Sequence, residues 1–173
     1  LLKRENPTQA IIFCRTRRGT EKIFQRLSRK EKGAACIHGD LPQSTRDRVM
    51  REFRDGKVRL LMATDVVGRG IDVTRISHII NYDTPEFCDD YVHRVGRTGR
   101  MGREGVAYSF VTPEEGNELT RIEMRINRLL KRDEIEGVST GPKPEGVEGE
   151  EEPEKPEAKP VVGRRGKRIR RAL

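Results

Sequence analysis

Tryptophan is missing, and three Tyr and five Phe are the only aromatic residues in the chain. Any core must therefore rest on aliphatic side chains. Cysteine is scarce: Cys14, Cys36 and Cys88, an odd number with no CxxC spacing. That excludes a disulfide framework and predicts small, reduced side chains in a reducing compartment. Cys36 and His38 lie close together, but no second ligand pair follows, so no zinc site is expected. No apolar run is long enough for a membrane-spanning helix, and no signal peptide is evident. A cytoplasmic protein is the expectation. A GxxxxGK[ST] loop, which would cradle phosphates by itself, is also lacking. The first residues are Leu1-Leu2-Lys3-Arg4 rather than Met, which predicts a piece of something longer.

What is present is charge, unevenly spread. Residues 1–132 carry 27 basic and 18 acidic side chains. Residues 133–160 carry ten acidic and three basic ones among Pro and Gly, and residues 161–173 carry six basic and none acidic. The composition predicts one domain over 1–132, a disordered acidic linker over 133–160 and a basic tail over 161–173. Two readings of the tail compete: a non-specific RNA tether, or an inert solubilising end or one folded back on the acidic linker. A basic domain suits a phosphate-rich partner.

The hydrophobic pattern alternates short strands with amphipathic helices. Ala10 to Cys14 is a continuous apolar run, as for a strand buried on both faces. Thr16 can cap a helix in which Ile23, Phe24 and Leu27 recur. Ala34 to Ile37 is a second strand. Pro42 suits the first turn of a helix bearing Val49, Met50 and Phe53, which Asp55-Gly56 stops. Further strands are expected over Val58 to Ala63, Ile76 to Tyr82 and Gly105 to Val111. Helices are expected over Glu86 to Val95 and from Pro113, where Leu119, Ile122, Ile126, Leu129 and Leu130 share a face. The fold class that follows is α/β: a mostly parallel sheet of at least five strands between helical layers.

Ligands of such sheets bind outside the carboxyl ends of the strands. Each expected strand end here is followed by polar, cationic or glycine residues. They are Arg15-Thr16-Arg17-Arg18, then His38-Gly39-Asp40 with Gln43 and Arg46, then Thr64-Asp65 to Asp72, then Tyr82-Asp83-Thr84-Pro85. Two helix starts at this edge present backbone N–H groups that favour anions. The densest cluster is His93-Arg94-Val95-Gly96-Arg97-Thr98-Gly99-Arg100, followed by Met101-Gly102-Arg103. Arginines this close repel one another unless an anion neutralises them, and their forks grip phosphate oxygens bidentately.

These segments, taken in order, resemble the DEAD-box proteins of helicase superfamily 2. HRVGRTGR at 93–100 is similar to that family's motif VI, ATDVVGRGID at 63–72 to motif V and IIFCRT at 11–16 to motif IV. HGDLPQSTRDRVMREFRDG at 38–56 resembles the stretch with the QxxR element, and NYDTP at 81–85 the approach to motif VI. The resemblance covers residues 9–111 and implies the C-terminal RecA-like domain, three-layered, of an ATP-dependent RNA helicase.

It also implies roles. Arg97 and Arg100 match arginine fingers that reach the γ-phosphate of ATP, and His93 a residue that couples two domains. Asp72, in the loop with Gly70, matches a ribose contact. Asp65 and Arg69 match residues that hold that loop and link it to the nucleotide. Arg15, Thr16, Gly39, Gln43, Arg46 and Thr64 fall in the segments that grip an RNA backbone. ATP with Mg²⁺ would be held mainly by an N-terminal RecA-like domain in the same protein. No carboxylate run of DEAD type appears here, so this chain alone is expected to hydrolyse no ATP. Two positions depart from the family: Val67-Gly68 replaces a pair of small residues, often Ala-Ala, and Asp89 replaces a common Glu.

Two rival functions stand beside this one. A DNA-dependent translocase of the same superfamily would usually carry Gln where His93-Arg94 stands. A non-catalytic RNA-binding module would have no use for the fingers.

Overall fold

The apolar run at 10–14 becomes strand β1 (Ala10–Phe13), and its position explains its composition. In the computed structural model β1 is the middle of five strands, with β2 (Ala34–Ile37), β3 (Leu60–Ala63), β4 (His78–Asn81) and β5 (Val106–Ser109). The order is β2-β3-β1-β4-β5 and every pairing is parallel. The structure describes residues 1–133 except 69, 70 and 72. Arg69, Gly70, Asp72, the acidic stretch from 134 and the basic tail therefore lie outside the described residues.

Side chains alternate across the sheet as the two-residue period demands. Ile11, Phe13, Leu61, Ala63 and Ile79 point into one apolar cluster, which Val49 and Phe53 of α3 (Gln43–Arg54) complete. Ala10, Ile12, Cys14, Leu60, Met62 and Ile80 point into the other, covered by Ile23 of α2 (Arg17–Ser28). A short N-terminal helix, α1 (Leu2–Glu5), brings Leu2 against this second cluster; no pattern in the sequence announces it. Helix α5 (Cys88–Val95) packs on α6 (Gly116–Ile126), where Arg125 Nε donates to Asp89 Oδ1 at 3.0 Å.

Some boundaries shift. Pro42 is the N-cap of α3 rather than a residue of its first turn. A single turn, α4 (Asp65–Gly68), follows β3 where only loop is expected. The last helix ends at Ile126, because Asn127 turns left-handed with φ 51°, and Leu129 is left exposed rather than on the helix's apolar face. Thr16 caps α2 as expected, its Oγ1 accepting from Gly19 N at 3.0 Å. Gly56, at φ +78°, follows the end of α3. Among the described residues no helix is long and apolar enough to cross a membrane.

The connections change sides at β1: the one from β1 runs to β2 on one side, and that from β3 runs to β4 on the other. The crevice where ligands bind such sheets therefore falls at the ends of β1, β3 and β4.

Candidate functional site

At that crevice lies the largest fully buried side chain, Arg94, 2% exposed. Its Nε and Nη2 donate to Asp65 Oδ1 and Oδ2 at 2.6 and 2.7 Å. Its Nη1 donates to Asp83 O at 2.8 Å and Asn81 Oδ1 at 3.2 Å. The guanidinium also lies over the Phe13 ring, 5.1 Å from the centroid. A buried charge is tolerated only when paired and hydrogen-bonded, and every nitrogen of the Arg94 guanidinium donates at least once. One side chain thus joins α5, the turn after β3, the end of β4 and the end of β1.

Sequence patterns do not single out Arg94. A signal was present: Asp90, Tyr91 and Arg94 share the buried face of α5, and a cation on such a face requires a partner. Asp65 is that partner, so its carboxylate faces its own domain.

Phe13 fixes a second relationship. A Cβ on Gly68 would lie 2.4 Å from Phe13 Cε1, closer than atoms approach. The departure at Gly68 therefore has a steric cause. Together Phe13, Asp65, Gly68, Asp90, His93 and Arg94 line a crevice of about 10 Å³, room for one water-sized group and no more.

Beyond this anchor the cationic loop turns outward. Arg97 is half-buried and donates from Nη1 to Ile71 O at 2.9 Å. Arg100 is half-buried and donates from Nε to Gly96 O at 2.7 Å. His93, on the last turn of α5, is exposed. Thr98 Oγ1 donates to Ile76 O at 2.6 Å and pins the loop to the segment before β4. Gly99 and Gly102 adopt φ of +68° and +74°, and a Cβ on Gly105 would collide with Gly99 N at 2.4 Å. The glycines of this segment are thus conformational requirements.

The residues expected on the other arm are also at the strand ends. Gln43 and Arg46 meet on the first turn of α3, Arg46 Nη2 donating to Gln43 Oε1, while Gln43 Nε2 donates to Asp47 Oδ1 at 2.7 Å. Thr64 is buried at the end of β3 and Gly39 is exposed. Thr16 is engaged in its cap. Arg15 is tied down: its amide donates to Asp83 Oδ2 at 2.7 Å, and its Nη2 to Glu115 Oε1 at 2.8 Å and Thr84 O at 3.1 Å. Arg17 pairs with Asp40. His38 is buried beneath, with Nε2 3.2 Å from Glu21 Oε1, near enough for an ion pair but not aligned as a hydrogen bond. No group of three or more His, Cys, Asp or Glu gathers as a metal site among the described residues.

The chain is similar to known proteins. Residues 1–102 match the family described as the helicase conserved C-terminal domain. Eukaryotic initiation factor 4A of Caenorhabditis elegans is 48% identical over 118 residues, 68% of this chain and 29% of that protein. The DEAD-box ATP-dependent RNA helicase CshA of Bacillus cereus is 42% identical over 132 residues, 76% of this chain and 25% of that one. Among solved structures, S. cerevisiae Dbp5 bound to RNA and ADP BeF3 superposes with a TM-score of 0.66 at 36% identity, covering 70% of this chain and 33% of that chain. The chain thus spans less than a third of these curated relatives.

Proposed function

Since this chain belongs to the helicase conserved C-terminal domain family, as the C-terminal RecA-like domain of a DEAD-box protein, we propose that it works as half of an ATP-driven RNA motor. The other half is an N-terminal RecA-like domain that holds ATP and Mg²⁺. Arg97 and Arg100 are the fingers that reach across to the γ-phosphate. Asp72 contacts the ribose, and His93 couples the two halves. Gln43, Arg46, Thr64 and Gly39, with the Arg15-Thr16 segment, hold the RNA backbone without reading its bases.

The observation that carries this reading is the division of labour within one arginine cluster. Arg94 is consumed inside the fold by Asp65, Asn81 and Asp83. Arg97 and Arg100 follow that anchor in the loop that Thr98 pins to Ile76, half-buried and backbone-tethered. Charge spreads over the phosphoryl oxygens as they transfer, and a guanidinium supplied from outside the phosphate cradle stabilises it. The crevice around Arg94, about 10 Å³, is far below the size of a nucleotide site, so a nucleotide needs a second wall.

The relatives' printed activity, ATP-dependent RNA unwinding, comes to this chain through that wall. ATP and RNA together draw the halves shut, and loss of the γ-phosphate lets them part. The test is Arg97→Ala in a protein carrying both halves. RNA-stimulated hydrolysis should fall by about 10³ or more with the fold retained. Intact turnover would reject the finger assignment. Stimulation by duplex DNA rather than duplex RNA would favour the translocase, and helicase-like turnover by the isolated 173-residue chain would refute the half-site.

A further inference from the structure

The same two segments that frame the proposed grip meet again at the opposite end of the sheet. There Arg54, Val73, Thr74 and Arg75 line an open hollow of about 260 Å³. Arg54 ends α3, and Thr74 and Arg75 turn the chain into β4. Arg54, Thr74 and Arg75 are exposed, and neither arginine has an ion-pair partner among the described residues. Asp55, next in sequence, faces Lys57 at 3.8 Å instead.

Arg54 is placed by helical periodicity. Gln43, Arg46, Met50 and Arg54 fall at i, i+3, i+7 and i+11 of α3, one flank of the helix. Eleven residues rise about 16 Å. One flank of α3 therefore carries the proposed grip at its start and a guanidinium of the hollow at its end. The stretch after β3 does the same, with Thr64 at one end and Thr74-Arg75 at the other.

We infer that Arg54, Thr74 and Arg75 form a second phosphodiester site, taking the RNA strand about five stacked nucleotides (~3.4 Å each) away from the Gln43–Arg46 grip. This rests on the RNA-grip reading above. Two guanidiniums on one hollow repel until an anion lies between them, and each offers a fork to non-bridging oxygens. The Thr74 hydroxyl adds a donor. The hollow's one apolar wall, Val73, offers no hydrogen-bonding group to a base edge, so the contact is independent of sequence.

The test compares single-stranded RNAs of about 6 and about 20 nucleotides by fluorescence anisotropy over a salt series, using the whole 173-residue chain. R54A/R75A should weaken the long RNA severalfold and flatten its log K against log salt slope by about 1.4, or 0.7 per lost phosphate contact. Binding of the short RNA should not change. R26A/R29A, which removes equal charge from α2 on the opposite sheet face, should leave the long RNA's slope nearer to wild type. An unchanged slope for R54A/R75A, or an equal loss in R26A/R29A, overturns the site. R54Q/R75Q repeats the measurement should the alanine pair lose its circular dichroism signal. If Q43A/R46A weakens both RNAs while R54A/R75A weakens neither, the grip stands and the second site falls. Wild-type chain that binds neither RNA refutes both.

Discussion

Arg94 and Asp65 are joined by two parallel hydrogen bonds, 2.6 and 2.7 Å, and the arginine end of the pair is sealed from solvent. Bidentate geometry of this kind fixes orientation as well as distance. The pair sets the angle at which α5 leaves the sheet, and thereby the direction in which the Arg97–Arg100 loop departs.

Asp65→Asn should expose how much depends on it. Asn halves the acceptor capacity and removes the countercharge of a buried guanidinium. Removing one member of a buried pair usually costs 3–5 kcal/mol, but Asp65 is about a quarter exposed, so about 3 kcal/mol is expected. Urea unfolding of the chain measures it. A loss under about 1 kcal/mol would mean that water screens the pair.

Gly68→Ala tests the contact with Phe13. The new methyl group would start 2.4 Å from Cε1, so either the ring or the α4 turn must move. Overpacking of this sort costs about 1–3 kcal/mol. Phe13→Leu should relieve part of it, giving a favourable coupling in the double-mutant cycle. Simple additivity would show that the two residues do not touch in solution.

Cys14 predicts an alkaline limit on stability. Burial pushes its thiol from 9.0 up to about 12, with the nearby Asp83 charge adding to the effect. An unfolded thiol ionises near its ordinary value, so above pH 9 the unfolded chain binds fewer protons than the native one. Stability contributed by the neutral thiol is therefore complete below about pH 9 and declines as pH rises toward 12, by up to about 1.4 kcal/mol per unit. Cys14→Ala should flatten that decline in urea titrations at pH 8 to 10.5. The same burial predicts that iodoacetamide at pH 8 leaves Cys14 unmodified until the chain unfolds.

Gly105→Ala addresses the loop beyond the anchor. A Cβ there would come within 2.3 Å of Thr98 Oγ1 and 2.4 Å of Gly99 N, and backbone cannot yield as a side-chain tip can. Thermal unfolding should shift down by an amount equivalent to about 1–3 kcal/mol. In a protein with both halves, RNA-stimulated ATP turnover should fall further than stability does, because Thr98 stands between Arg97 and Arg100. Equal losses in both would make Gly105 a packing residue only.

The strands were legible in the sequence because β1, β3 and β4 are buried on both faces and read as unbroken apolar runs. Only their edges were overdrawn, by one to two residues, as at Val58, set off from Leu60 by Arg59, and at Tyr82, set off from Ile80 by Asn81. Helix α6 was drawn too long because Leu129 and Leu130 keep the helical period while Asn127 turns the backbone away. The loop residues at the strand ends could be placed at one edge from topology alone. What topology cannot give is which member of an arginine cluster faces inward. That depended on Asp65 converging with Asn81 and Asp83 from two separate segments. Nor does the sequence reveal that Gly68 is dictated by Phe13, since the contact joins residues more than fifty positions apart.

The middle position of β1 has a cost during synthesis. Its two neighbours begin about 50 and 70 residues downstream, since Ala10 pairs with Leu60 on one side and His78 on the other. This wholly apolar tetrapeptide thus leaves the ribosome long before anything can shield it. Local hairpins cannot rescue it, because every neighbour is parallel and reached only by a crossover. Both edges of β1 are therefore covered only once Asn81 has emerged, and any truncation before that residue leaves at least one edge open to self-association.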